Sequence, residues 1–233
     1  MDSVWFREER PRKPRLSRER IVEAAVSLLD AEGVGGFSMR ALAARLDAGT
    51  MSLYEYVKSK DDVLDLALDA VIGEIDPDEP SDASWRDYLT GQLIQRRAVM
   101  RRHPWVPALT ATRPLIGPNA LARSERFYAT LRRAGLSGPA LMAAVGALSF
   151  YTDGYASAEN TWWSTIRTPG ADAELRARVQ RHLEEHSAVL AEHARVGVSD
   201  FDASFTLGLG IILDGIEKAL EAAATAPEPP ANG

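Results

Sequence analysis

Apolar residues recur every three or four positions along most of this chain, which is the spacing of one buried helix face. A first example is the set Ile21, Ala24, Ala25, Leu28 and Leu29. Ser17 is placed to cap this helix at its start and Gly33 to end it. Strand-like alternation and internal repeats are both absent from the sequence. The pattern predicts an all-α protein.

The same periodicity continues to the last residues, interrupted by proline and glycine. It predicts further helices over 61–75, 85–102, 119–134, 139–163, 171–195 and 199–224, with a short or irregular piece around the prolines between 104 and 118. The run Pro77-Asp78-Glu79-Pro80 indicates a domain junction. Together with the N-terminal segments, about ten helices are expected, followed by a disordered Pro- and Ala-rich tail over 225–233.

Residues 38–60 have the layout of a helix-turn-helix. Ser38 caps a first helix that places Ala41, Leu42 and Leu46 on one face. Asp47-Ala48-Gly49 tolerates the turn conformations that bulkier residues resist. A second helix of about two turns then begins at Gly49 or Thr50 and directs Leu53 and Val57 inward.

The outward side of the second helix carries hydroxyl, aromatic and thioether groups. These suit base edges and phosphates, and they belong to Thr50, Met51, Ser52, Tyr54, Glu55 and Tyr56. Lys58 and Lys60 open the next helix, where cations and free backbone N–H groups favour phosphate. The spacing alone also fits two short surface helices of an all-α protein, so this alternative stays open.

Charge is distributed unevenly along the chain. The net charge is −6, whereas residues 7–20 carry seven basic and three acidic side chains. This proline-rich arm, with Arg12, Lys13 and Arg15, could follow phosphates or enter a minor groove. The alternative is a solvated, disordered terminus. A small basic face on an acidic body is typical of a sequence-specific DNA reader.

Residues 17–66 resemble the N-terminal domain of the tetracycline-repressor (TetR) family of transcriptional regulators. The matching segments are 21–25 (IVEAA), 36–43 (GFSMRALA) and 52–61 (SLYEYVKSKD). The resemblance implies that bases are addressed by Arg40, Thr50, Met51 and Tyr56, and that phosphates are held by Ser52, Tyr54, Lys58 and Lys60. One departure is Asp47-Ala48-Gly49 where the family usually has Gly-Val-Ser: Gly49 removes a side chain that often caps the recognition helix or touches phosphate.

Residues 86–220 resemble the regulatory domain of the tetracycline-repressor branch. The features are 102–105 (RHPW), 112–114 (TRP), 117–121 (GPNAL), 131–136 (LRRAGL) and the closing segment around 205–216. The resemblance implies an apolar inducer pocket and dimerisation through the long penultimate and last helices as a four-helix bundle. Small residues between 140 and 149, and Gly208, Gly210 and Gly215, would let such helices approach closely.

Candidate ligand contacts combine aromatic or apolar side chains with a few polar groups. They are Trp105, Arg113, Asn119, Phe127, Tyr128, Leu131, Phe150, Tyr151, Tyr155, Glu159 and Trp162, with Asp153 as a further polar anchor. The alternative for each aromatic residue is a place in the helical core. The family prototype binds drug-chelated magnesium through a histidine before Thr-Arg-Pro; Leu109 stands there in this chain, so tetracycline is not the expected inducer.

His182-Leu183-Glu184-Glu185-His186 matches the H-x-x-E-H pattern of one class of zinc peptidases. Its helix is charged throughout, however, and other peptidase, Ser/His/Asp or phosphate-loop signals are absent. We therefore expect no enzymatic activity, no metal site and no cofactor. The chain has no cysteine, no membrane-spanning apolar run and no signal peptide, which is consistent with the cytoplasm.

The sequence thus predicts a basic arm over 1–16, a three-helix DNA-binding domain over 17–62 and a helical ligand-binding and dimerisation domain over 63–224. The expected function is a cytoplasmic homodimeric repressor, released from a palindromic double-stranded operator by an apolar small molecule. Two alternatives remain: a DNA-binding regulator without small-molecule control, or an activator. A metal-dependent enzyme using His182 and His186 is a remote third.

Overall fold

The computed structural model describes residues 16–76, 83–165, 171–196 and 201–225. These ranges form eleven helices and contain no strand, which confirms the all-α prediction. The helices are α1 (Arg18–Gly36), α2 (Met39–Arg45), α3 (Thr50–Leu53), α4 (Lys60–Ile72), α5 (Trp85–Arg102), α6 (Val106–Thr110), α7 (Pro118–Arg133), α8 (Gly138–Thr165), α9 (Ala171–His186), α10 (Ala188–Val196) and α11 (Phe201–Thr225). Across the described ranges, none of the helices combines the length and apolarity needed to cross a membrane.

Residues up to Ala67 form one compact unit, and residues from Leu68 onward form another. In the first unit, the Ser17 hydroxyl accepts from the Arg20 N–H at 3.2 Å and starts α1. Gly33 has φ +66°, so the regular helix ends there as predicted, and a further turn continues to Gly36. The Ser38 hydroxyl caps α2 by accepting from the Ala41 N–H at 3.1 Å.

The turn between α2 and α3 depends on Asp47, whose φ of +49° is tolerated better by Asp than by most residues. Helix α3 is a single turn rather than the two that the sequence predicts. The reason is local: the Tyr54 N–H bonds to the Met51 carbonyl three residues back, so the helix tightens and ends. Leu53 and Val57 are nevertheless both buried, as predicted.

The core of the second unit is built mainly from α5, α7, α8 and α11. Its largest buried side chains come from all four helices, and they are Tyr88, Leu89, Leu93, Phe127, Leu131, Leu148, Phe205, Leu209 and Leu213. Burial of such side chains stabilises each by about 1.5–3 kcal/mol relative to exposure. Four helices contributing to one core position the cavity described below.

The single helix predicted over 171–195 is wrong, because the chain breaks at Ser187 into α9 and α10. The Ser187 hydroxyl accepts from the Leu190 N–H at 3.4 Å and starts the new helix. The Gln180 side chain donates to the Ala191 carbonyl at 3.3 Å, which holds α10 against α9. The basic arm, the junction at residues 77–80 and most of the predicted tail lie outside the described residues.

Candidate nucleic-acid interface and ligand cavity

Helix α3 and the turn after it present an exposed surface of mixed chemistry. Met51 is 78% exposed, Tyr54 43% and Tyr56 37%, although large apolar or aromatic side chains are usually buried. Thr50 and Ser52 are half-buried beside them, and Arg40 is exposed on α2. Buried Leu53 supports this surface from below. The structure therefore displays together the side chains that the sequence assigns to DNA contact.

The two lysines after α3 lie in different environments. The Lys58 side chain is exposed, and its backbone N–H donates to Asp62 at 2.8 Å. Asp62 also accepts from the Ser59 hydroxyl at 2.8 Å and caps α4. These bonds, the one from Ser59 first, lower the pKa of Asp62. Lys60 instead donates from Nζ to the Phe37 carbonyl at 2.8 Å and lies over the Phe37 ring. Both lysine side chains are exposed, and Lys60 in addition stabilises the unit through its bond to the Phe37 carbonyl.

The remaining predicted DNA contacts, Arg12, Lys13 and Arg15, precede the first described residue.

Two adjacent cavities, of about 50 and 100 Å³, lie in the second unit. Both are lined by Ile72 from α4 and by Arg123 from α7. The first is otherwise lined by Leu93, Arg96, Leu115, Ala120, Ser124, Phe127, Tyr128, Val145 and Ser149. The second is otherwise lined by Gly73, Ile75, Tyr88, Gln92, Asn119, Ala122 and Arg126. Apolar walls with a few polar groups are typical of small-molecule sites.

The polar groups of these walls are arranged around two arginines. Arg96 forms a two-point ion pair with Asp153, with N–O distances of 2.7 and 2.6 Å. Arg123 donates to the Gln92 side-chain oxygen at 2.7 Å and to the Gln92 carbonyl at 3.3 Å. Burial lowers the pKa of Arg123 to about 10, and repulsion from Arg96 adds to the shift. Arg96 is therefore neutralised by an ion pair, whereas Arg123 is held by neutral acceptors.

Three predicted ligand contacts line these cavities: Phe127 and Tyr128 the first, and Asn119 the second. Trp105 and Leu131 are buried in the core, and Arg113 is half-buried outside both linings.

The aromatic residues predicted along α8 lie elsewhere. Tyr151 and Tyr155 pack against Phe205 and donate to backbone carbonyls of α11 at 3.0 and 2.9 Å. Trp162 contacts Phe201, and Phe150 is 78% exposed. Glu159 is buried in a two-point ion pair with Arg97, at 2.8 and 2.9 Å. Tyr151, Tyr155 and Trp162 thus pack on α11, Glu159 pairs with α5, and none of these residues lines either cavity.

Sequence reasoning missed the charged and polar part of the lining, chiefly Arg96, Arg123 and Gln92. Charged residues on amphipathic helices are normally solvated, so the sequence pattern gives no reason to place these residues in a cavity. One signal was available: Arg123 precedes Phe127 by four residues and therefore shares its helix face.

The C-terminal part of α4 is tied to the cavity wall by Asp69. Its carboxylate accepts from the Ala120 N–H at 2.9 Å and from the Asn119 N–H at 3.3 Å, at the first turn of α7. Gly117, the N-cap residue of α7, offers no capping side chain, and a Cβ there would lie 2.3 Å from the Asp69 carboxyl. Asp69 thus supplies from α4 the cap that α7 lacks.

His182, Glu185 and His186 lie together on the exposed surface of α9, with potential ligand atoms within 4.8 Å of one another. The His186 ring donates from Nδ1 to the His182 carbonyl at 2.8 Å. Neither of the two cavities is lined by any of these residues.

Family models match the two parts of the chain separately. Residues 21–67 match the model described as bacterial regulatory proteins, tetR family, and residues 76–220 match the tetracyclin repressor-like C-terminal domain. The first segment contains the α3 surface, and the second contains all the cavity-lining residues except Ile72, Gly73 and Ile75, which lie between the two segments.

Two curated relatives and one solved structure illustrate the similarity over most of the chain. An HTH-type transcriptional regulator of Saccharopolyspora erythraea is 46% identical over 86% of this chain and 79% of its own. The HTH-type transcriptional repressor DrrR1 of Streptomyces coeruleorubidus is 38% identical over 93% and 84%. The structure of ActR from Streptomyces coelicolor in complex with actinorhodin has a TM-score of 0.76 at 29% identity, covering 89% of this chain and 99% of that one.

Proposed function

The chain belongs to the tetracycline-repressor (TetR) family of transcriptional regulators, and we propose that it is a homodimeric repressor released from its operator by a small molecule. DNA binding through the helix-turn-helix follows from the family itself. What we propose beyond this is a homodimer that binds a palindromic operator through the residues named above and leaves it when a ligand binds. Because it acts on chromosomal DNA, we place the protein in the cytoplasm.

DNA contact is supported by the exposed surface of α3. Exposure of Met51, Tyr54 and Tyr56 over buried Leu53 has no use in folding, because these side chains would be more stable if buried. In the major groove, Met51 can meet a thymine methyl and the hydroxyl groups can meet bases or phosphates. Arg40 and Lys58 add the positive charge that holds the backbone.

The homodimer is supported by an unpaired apolar face on the two longest helices. On α8, Met142 is 60% and Phe150 78% exposed; on α11, Leu207 is 70% and Ile211 66% exposed. Within the chain, α8 and α11 already pack closely, since a Cβ at Gly208 would lie 2.2 Å from the Tyr151 hydroxyl. Pairing these faces across a two-fold axis would bury them and give four helices in one bundle.

Release by a ligand is supported by one observation above the others: Ile72, at the end of α4, lines both cavities. Helix α4 begins in the first unit at Lys60 and reaches the second. A molecule in the cavity therefore contacts the same helix that continues from the DNA-binding unit. Differential affinity of such a molecule for two dimer states would shift the protein between DNA-bound and released forms.

The test is operator binding by the purified full-length protein, measured by fluorescence anisotropy with its own promoter region across a salt series. We expect specific binding that weakens steeply with salt and that is lost in Arg40→Ala and Tyr54→Ala. Glu125→Ala, which changes an exposed residue of α7, is the control and should bind like the wild type. Compounds that raise the melting temperature are then added to the complex. If no stabilising compound changes operator affinity, the ligand-released mechanism is wrong, and a regulator without small-molecule control takes its place.

We assign no catalytic role to the His182 cluster. Its three side chains are exposed on α9, and a hydrolytic metal site needs a shaped cavity that excludes bulk water.

A further inference from the structure

Arg123 lines both cavities and is unusual there because the acceptors that hold its side chain are uncharged. Its guanidinium carries five N–H donors, of which two donate to Gln92, at 2.7 Å to the side-chain oxygen and 3.3 Å to the carbonyl. Both acceptors are neutral. Within the described part of the chain, no carboxylate forms an ion pair with Arg123, whereas neighbouring Arg96 is fully engaged by Asp153.

A partly buried cation without a direct ion pair is costly, and the more distant charge of Asp153 offsets only part of that cost for Arg123. The cost is visible in the pKa of Arg123, which burial and the proximity of Arg96 lower to about 10. The group is still protonated at neutral pH. Gln92 is itself buried, so it holds the guanidinium plane in place from one side and leaves donors for a second partner.

The residues around Arg123 indicate the chemistry of the remainder of the ligand. It lies on the walls of both cavities, next to Phe127, Tyr128, Leu93 and Ile72 on the first. The apolar and aromatic walls are chemically suited to an aromatic body, for which the two small cavities would have to widen into one, and an anionic group suits the fork of Arg123. We propose that the inducer is an aromatic carboxylate whose carboxylate pairs with Arg123, rather than a wholly apolar molecule. This assignment rests on the proposed ligand-released function and specifies the class of ligand for it.

The experiment compares two probes of the same shape, 2-naphthoate and 2-naphthamide, by calorimetric titration of the purified full-length protein. Because only the carboxylate can form the charged pair, we expect it to bind at least about tenfold more tightly than the carboxamide. In Arg123→Gln, the affinity for the carboxylate should fall to that for the carboxamide, while the carboxamide affinity is unchanged.

Two further variants distinguish recognition of the carboxylate by Arg123 from the effects of a changed stability or a changed net charge. Arg123→Lys keeps the charge without the planar fork, so it should keep part of the preference. Arg132→Gln removes the same charge from an exposed position of α7 outside both cavity linings, and it should bind like the wild type. Melting curves of all variants establish that each is folded.

Equal binding of the two probes by the wild type, no binding by either, or an unchanged preference in Arg123→Gln would each overturn the carboxylate assignment. Operator release is measured separately with the same probes. Release by both probes equally would sustain the ligand-released function and overturn the carboxylate assignment. Arg123-dependent binding of 2-naphthoate without any change in operator affinity would sustain the assignment and overturn the release mechanism.

Discussion

Asp69 is expected to stabilise the fold and to transmit the presence of a ligand. Its carboxylate accepts from two backbone N–H groups at the start of α7, at 2.9 and 3.3 Å, where the Gly117 cap position has no side chain. Loss of an N-cap acceptor costs about 1 kcal/mol, and loss of a negative charge at a helix N-terminus costs about 0.3–1 kcal/mol. We therefore expect Asp69→Ala to lower the free energy of unfolding by about 1.3–2 kcal/mol.

The assay is urea unfolding followed by circular dichroism at one fixed protomer concentration, because the stability of a dimer depends on concentration. Asp69→Asn keeps an acceptor but loses the charge, so it should lose about half as much. Glu125→Ala, an exposed acidic residue on the same helix, is the matched control and should be nearly neutral.

The functional consequence separates Asp69 from an ordinary structural residue. Since Asp69 joins α4 to the wall that contains Ala120 and Asn119, its loss should raise the ligand concentration needed for operator release, with operator affinity unchanged. Indistinguishable unfolding curves for Asp69→Ala and Glu125→Ala would refute the capping argument. An unchanged release curve would refute the coupling argument.

Three other results are expected. Glu159→Ala removes the two-point partner of the buried Arg97 guanidinium, which keeps its ion pair with Asp202, so the free energy of unfolding should fall by about 1.5–3 kcal/mol in the same urea assay. Phe150→Glu places a charge on the exposed α8 face and should give a monomer by light scattering, with operator binding lost; a dimer would contradict the proposed interface. Lys58→Ala should reduce the salt slope of operator binding by about 0.9, whereas Lys60→Ala should chiefly lower stability because its Nζ donates to Phe37; equal slopes for both would show that they hold phosphate alike.

The local elements could be predicted because their causes lie within a few residues. The hydroxyls of Ser17 and Ser38 cap helices three residues away, and Asp47 takes the positive φ that the turn needs. Apolar periodicity likewise placed Leu53 and Val57 on a buried face. Helix α3 was expected to be longer because periodicity cannot report that a chain tightens after one turn.

The sequence by itself therefore determined the all-helical class and the residues that face inward in the helix-turn-helix. Only the tertiary structure decided what the polar side chains do. Asp69 caps a helix fifty residues away, and Lys60 donates to a carbonyl twenty-three residues away. Arg123 lines a cavity and Glu159 pairs with Arg97 instead of meeting a ligand. Such partners are selected by packing of distant segments, whereas helical periodicity records only which face of each helix is buried.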